Sequence, residues 1–264
     1  MDQKSTHRTT NKRIVIKVGS GVLTENHTIA KERMLNLVTL IARLNKTYEV
    51  ILVSSGAVAS GYTALKLDRK EHISKKVLAS LGQPILMSNY KKKFDIFNLD
   101  TAQILLTEED FDSRKRTAIF TEIIETLLAN NIIPIVNEND ISTTSEQVFG
   151  DNDQLSAHVA HYMDSELLVV LSDIDGYYDK NPKEHEDAKL LKSVTHIPAE
   201  ALCADHTPNN SFATGGIVTK LIAADFLMKR GRKMFLCNGY NLKAVESYLL
   251  SGVHEGGTLF HAPS

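Results

Sequence analysis

The stretch Ile14-Val15-Ile16-Lys17-Val18 runs straight into Gly19-Ser20-Gly21. Four of its first five residues are β-branched and apolar, so it reads as a strand closed by a glycine turn. A helical pattern over about residues 29–44 follows, and then Val50-Ile51-Leu52-Val53, a second continuously apolar strand. This is a βαβ unit: the crossover has the length of one helix, and strands without polar alternation are covered on both faces. The alternation continues outward from it. A helix over about 75–97, interrupted at Pro84, precedes a strand at 102–106, a helix near 116–129 and a strand at 132–136. After Asn137-Glu138-Asn139-Asp140 a polar stretch reads as a hairpin or flap, and Gly150-Asp151-Asn152-Asp153 opens a helix to about Met163. Leu167-Leu168-Val169-Val170-Leu171 is the most strongly apolar strand and ends in Ser172-Asp173-Ile174-Asp175-Gly176. Thr214-Gly215-Gly216 opens a helix to about Lys229, followed by a strand at 234–237, a helix near 242–250 and a short strand at 257–260. The order predicts an α/β fold, a three-layer αβα sandwich with a mainly parallel central sheet. Residues 1–12 read as a polar tail and 13–261 as a single domain.

Of the 264 residues 42% are hydrophobic and 23% charged, with a net charge of −2, which excludes disordered and collagen-like sequence. The near-zero charge argues against nucleic acid as a partner. The run Lys91-Lys92-Lys93 is expected on the solvated face of a helix. No apolar run is long enough to span a bilayer, and the polar start lacks a signal-peptide core, so a cytoplasmic protein without membrane attachment is expected. Cys203 and Cys237 lack a CxxC partner, which argues against a thiolate metal site, and both are expected as buried, inert thiols.

Polar or glycine-rich turns gather at strand ends, where α/β folds bind ligands. They define one ligand cleft, or they are the Gly, Asn and Asp that such turns need in any case. No P-loop, complete GxGxxG, HRD, DFG or HExxH is present. His158 and His161 form an i, i+3 pair without a third metal ligand and are expected in surface or capping roles. Lys17 sits inside an apolar strand, either reaching out to water or aimed across the glycine turn at a phosphate. Lys220 lies about one turn into its helix, where backbone N–H groups and the ammonium converge on one anion if the reading as an anion site holds. Asp151, Asn152 and Asp153 exceed what a helix cap requires.

Five segments carry a resemblance: Ile16-Lys17-Val18-Gly19-Ser20-Gly21, Val53-Ser54-Ser55-Gly56-Ala57, Asn137-Glu138-Asn139-Asp140, Gly150-Asp151-Asn152-Asp153-Gln154-Leu155-Ser156-Ala157 and Thr214-Gly215-Gly216-Ile217-Val218-Thr219-Lys220. They occur in the order seen in the amino acid kinase superfamily, and the chain resembles its glutamate 5-kinase branch from about Lys12 to Phe260. The resemblance implies transfer of the γ-phosphoryl group of ATP, with Mg²⁺, to the side-chain carboxylate of L-glutamate, the first step of proline biosynthesis. It implies catalytic roles for Lys17, Lys220 and Asp153, the last orienting the lysines or supporting Mg²⁺, with no other protein ligand to the metal. It places Ser55, Asp140 and Asn152 against glutamate, Asp140 facing the ammonium. The nucleotide falls to Lys17, Gly19, Gly21, Ser172, Asp173, Thr214, Gly215, Gly216, Ile217, Val218, Thr219 and Lys220, and Gly56 allows close backbone approach.

The resemblance further implies a homo-oligomer, dimer or tetramer, and L-proline as a feedback inhibitor. Two departures stand out: Phe212-Ala213 where a Gly-rich loop is expected, and no C-terminal PUA domain. Other branches, acting on N-acetylglutamate or UMP, are the competing readings, and Asp140 separates them because an acetylated substrate has no ammonium. A nucleotide-binding protein without turnover is the alternative from another class.

Overall fold

The computed structural model describes residues 12–25, 28–69, 71–142, 152–182, 184–203 and 215–263. The chain begins with β1 (Lys12–Val18), the single turn α1 (Ser20–Leu23), the two-residue strands β2 (Thr24–Glu25) and β3 (Thr28–Ile29), α2 (Lys31–Leu44) and β4 (Tyr48–Ser54). Next come α3 (Ala57–Ala64), α4 (His72–Phe94), a 3-10 turn at Asp95–Phe97, β5 (Thr101–Leu106), α5 (Glu109–Asp112), α6 (Arg114–Ala129) and β6 (Ile133–Glu138). Then follow α7 (Asp153–Tyr162), β7 (Leu167–Ser172), β8 (Ser193–Val194), α8 (Ala199–Leu202), α9 (Gly215–Met228), β9 (Lys233–Asn238), α10 (Lys243–Glu246), a π turn at Ser247–Ser251, and β10 (Thr258–Phe260).

The main sheet has eight strands in the order β5-β6-β4-β1-β7-β9-β10-β8. Every pairing in it is parallel except β9 with β10. β1 lies between β4 and β7, so the chain leaves it to one side and later returns on the other. The crevice beyond the carboxyl ends of such strands is where ligands bind in open α/β sheets.

Strand alternation decides which face each side chain serves. Ile14, Ile16 and Val18 of β1 pack in the core layer with α2, α4 and α10, while Val15 packs in the opposite layer with α6, α7 and α9. With a period of two, Lys17 shares the face of Val15 and is turned toward α7 and α9.

Two helices meet unusually closely. A Cβ at Gly82 of α4 would stand 1.7 Å from the Ala57 carbonyl oxygen, and one at Gly61 of α3 would stand 1.9 Å from that of Leu78. Only glycine permits this backbone-to-backbone contact. Gly56 starts α3 at φ 106°, a left-handed conformation that favours glycine.

Several expectations need correction. Pro84 does not interrupt α4, which continues through it; both Pro84 and Ser80, whose carbonyl the ring deprives of its helical partner, lie on the exposed side, open to solvent. Helix α3, α5, α8 and strand β8 were not foreseen. Cys237 is buried, its thiol pushed up by burial, but Cys203 is exposed. Of the run Lys91-Lys92-Lys93 on the last turn of α4, Lys91 and Lys92 are exposed as expected, while Lys93 is partly buried. The polar stretch over 143–151 lies outside the described residues. Among the described residues no helix is long and apolar enough to cross a membrane.

Candidate active site

Three charged side chains from distant parts of the chain meet beside the carboxyl end of β1. Lys17 Nζ lies 2.5 Å from Asp153 Oδ1, and Lys220 Nζ lies 3.1 Å from Asp153 Oδ2. Exposure is 1% for Lys17, 0% for Asp153 and 6% for Lys220. Asp153 is the first residue of α7, where a negative charge also suits the helix dipole. Lys220 reaches back over the first turn of α9, donating to the Gly216 carbonyl at 2.8 Å, and Thr219 Oγ1 donates to Asp153 Oδ2 at 3.0 Å. Burial works against ionising Asp153, yet the charges of Lys17 and Lys220, with their hydrogen bonds, hold its carboxyl below the ordinary range. The trio carries two positive charges and one negative, which suits an anion.

Glycines lie over both ammonium groups. A Cβ at Gly19 would come within 3.9 Å of Lys17 Nζ, and one at Gly216 within 4.0 Å of Lys220 Nζ. The Gly19 amide donates to the Leu171 carbonyl at 3.1 Å, tying the glycine turn to the end of β7.

On the β4 and β6 side, Asn152 Nδ2 reaches the Ser54 carbonyl at 2.8 Å, Ser55 Oγ at 3.1 Å and Asn137 Oδ1 at 2.8 Å. A carbonyl only accepts, so this contact fixes which end of the amide is nitrogen. Asn137 Oδ1 also accepts from the Glu138 amide at 2.9 Å. Ser55 and Asn152, 97 residues apart, are thus joined directly. Asp140, just beyond β6, is half-buried and makes no described hydrogen bond to the other predicted residues. Burial pushes its carboxyl above the ordinary range, partly offset by its own backbone N–H and by Lys75 and Lys76.

On the other side of β1, Ser172 ends β7 and donates to Asp173 Oδ1 at 3.0 Å. Gly215 and Gly216 open α9, as the sequence indicates. Ile217 packs against the core, and neither it nor Val218 makes a described polar contact. Thr214 lies outside the described residues.

The end of β9 was missed. Asn238 donates to Asp175 Oδ1 at 2.7 Å, Gly239 donates to the Ser172 carbonyl at 2.7 Å, and Tyr240 Oη donates to the Gly21 carbonyl at 3.2 Å. Arg33 stacks on the Tyr240 ring at 4.9 Å and also donates to the Gly21 carbonyl. The strand-end rule that drew attention to Ser172 applies equally to the residues after Cys237. His158 is not a surface or capping group: it stacks on Phe226 at 4.4 Å and lies 5.0 Å from the Phe111 ring.

A mainly parallel sheet with two lysines on one buried aspartate and glycine turns at its central strand ends is the arrangement of an anion-binding α/β protein, and comparison gives the chain a family. The chain belongs to the amino acid kinase family, whose model matches residues 12–238. Within it the chain groups with the glutamate 5-kinases. It is 56% identical to the glutamate 5-kinase of Wolinella succinogenes, covering 94% of this chain and 97% of that one. Identity to the glutamate 5-kinase of Helicobacter hepaticus is 50%, over 94% of each chain. Among solved structures, UMP kinase from Ureaplasma parvum matches with a TM-score of 0.65 over 95% of this chain and 99% of that one, at 18% identity, a likeness of fold alone.

Proposed function

We propose that this chain transfers the γ-phosphoryl group of ATP to the side-chain carboxylate of L-glutamate, forming L-glutamyl 5-phosphate for proline synthesis. The observation that carries this reading is the buried bridge Lys17–Asp153–Lys220, in a chain half or more identical to named glutamate 5-kinases.

The reaction joins two anions. Two unit charges 4 Å apart repel by about 1 kcal/mol in water and about 4 kcal/mol at an effective dielectric near 20. The attacking carboxylate is already ionised near neutral pH, so no general base is required. Catalysis then rests on positioning and on charge placed where the transferring group develops its own. Lys17 and Lys220 supply that charge. Asp153 holds both ammonium groups in place, one on each oxygen. Gly19, Gly21 and Gly216 keep the approach free of side chains, and Ser172 and Asp173 line the nucleotide side with the first turns of α9 up to Lys220. On the acceptor side Ser55 donates to a carboxylate. Asn152, its amide protons already engaged, offers its carbonyl oxygen, and Asp140 pairs with the α-ammonium.

Mg²⁺, brought by the nucleotide as MgATP, would screen the phosphate charge, with Asp153 the residue of the site nearest in chemistry to a supporting ligand. Both Asp153 oxygens are engaged by lysines, and the described residues contain no cluster of three or more His, Cys, Asp or Glu side chains arranged to hold a metal.

The test is ADP release with MgATP and L-glutamate, compared with N-acetyl-L-glutamate, L-aspartate and UMP, with hydroxylamine present to trap an acyl phosphate. Turnover and hydroxamate with L-glutamate alone is the expected result. Turnover with another acceptor instead would overturn the substrate assignment, and nucleotide binding without turnover on any acceptor would overturn the kinase reading.

A further inference from the structure

Tyr90 of α4 is fully removed from water, 0% exposed, packed in the hydrophobic core on the α2 and α4 side of the sheet. A phenylalanine would fill nearly the same volume without a hydroxyl to bury, and a buried hydroxyl is costly unless bonded. That hydroxyl lies 2.8 Å from Ser54 Oγ at the end of β4, and Ser54 is also 0% exposed. Ser54 in turn donates to the Ser55 carbonyl at 2.9 Å. A serine has one hydroxyl proton, so the order is fixed: Tyr90 donates to Ser54, and Ser54 donates to Ser55. Burial keeps the Tyr90 hydroxyl protonated, far above its ordinary range.

Ser55 is held at three points. Its amide donates to the Val18 carbonyl at 3.3 Å, its carbonyl accepts from Ser54, and its Oγ accepts from Asn152. A hydroxyl that accepts still has its own proton to give to an incoming ligand. The frame behind this chain of bonds is stiff, because α4 is locked to α3 through Gly61 and Gly82, and α3 begins two residues after Ser55.

We propose that Tyr90 is a positioning residue for the acceptor half of the site, acting through Ser54 to set the orientation of Ser55 and so the fit of L-glutamate. This rests on the assignment of Ser55 to glutamate made above. Tyr90 touches neither substrate; its influence reaches only the side of β1 that carries Ser55 and Asn152, not the side that carries Ser172 and α9.

Tyr90→Phe tests it while keeping the ring. The expected result is a KM for L-glutamate raised about tenfold, the size of one lost buried hydrogen bond, with the KM for ATP within about twofold of the parent. Ser54→Ala cuts the same relay in its middle and should shift the same constant. The double variant should be no worse than the worse single one, since both remove one pathway. A Tyr90→Phe enzyme that melts earlier but keeps both KM values would reduce Tyr90 to a packing residue and overturn the proposal. Equal rises in both KM values would indicate general distortion and overturn it too. A parent enzyme inactive on L-glutamate would instead sink the substrate assignment.

Discussion

Lys17 and Asp153 form a 2.5 Å ion pair in which neither side chain reaches water, in the middle of a sheet where Lys17 stands opposite Val53 on one side and Val170 on the other. Such a pair is a weak source of stability, because desolvating two charges offsets most of their attraction. Its value lies in what it fixes. The aspartate holds an ammonium at the one strand end flanked by both halves of the site, and its second oxygen holds another from α9.

Lys17→Ala and Lys220→Ala are each expected to lower kcat at least about a hundredfold while leaving the fold intact, the scale of losing a donor that stabilises developing charge. Asp153→Asn should lose activity comparably and also melt earlier, because two ammonium groups stay buried without their carboxylate. Steady-state kinetics and thermal melts decide; near-normal turnover in either lysine variant would reject its role.

Asp140 is expected to trade stability for recognition. Burial raises its folded-state pKa, so its contribution to stability falls as pH rises from the ordinary carboxylate value through the folded one. At pH 7 Asp140→Asn should therefore melt higher than the parent, while its KM for L-glutamate rises about tenfold or more. A lower melting temperature in this variant would contradict the assignment.

His158 makes the protein acid-sensitive well above the carboxylate range. Burial among aromatic rings, helped by Arg230 and His161, lowers its pKa from 6.5 to about 4. The unfolded chain takes up this proton first, so stability is full above about pH 6.5 and declines as pH falls toward 4. The decline amounts to about 2 kcal/mol after allowance for partial exposure. His158→Phe should flatten the melting-temperature profile between pH 4 and 7; an unchanged slope would place the titrating group elsewhere.

Gly82→Ala puts a methyl 1.7 Å from the Ala57 carbonyl oxygen and 2.6 Å from the Gly61 nitrogen, both backbone atoms that cannot swing aside. The expected cost is about 3 kcal/mol or more, at the upper end for overpacking, measured by denaturant unfolding. If unfolding were unchanged, the close contact of α3 with α4 would have to be abandoned.

The strands were legible because their reading is local. Leu167–Leu171 is apolar without a break and Ile14–Val18 is broken only by Lys17, and runs this short and β-branched read as strands. Helix α3 was not legible: Ala57–Ala64 contains Gly61 and small residues, and it is helical because Gly82 of another helix lets it pack against backbone. The strand Ser193–Val194 is too short to carry a pattern and exists through its pairing with β10. Lys17, Asp153 and Lys220 were readable as candidates, but their meeting on one carboxylate came only from the family resemblance, since nothing local encodes a contact between strand, α7 and α9. Nothing in the sequence marks Tyr90, whose bond to Ser54 joins residues 36 apart. Cys203 shows the limit of reading burial from residue type.

The position of β1 also sets a timetable. It pairs with β4, made soon after it, and with β7, made much later, and Lys220 follows later still. At ribosomal rates of roughly 5–20 residues per second, a nascent chain holds one flank of β1 open for about 8 to 30 seconds. In that interval an apolar strand carrying a lysine has no partner on one edge, a surface fit for a chaperone. A ribosome stalled before residue 220 leaves no weakened kinase behind, only a chain whose phosphate-binding charges have never met.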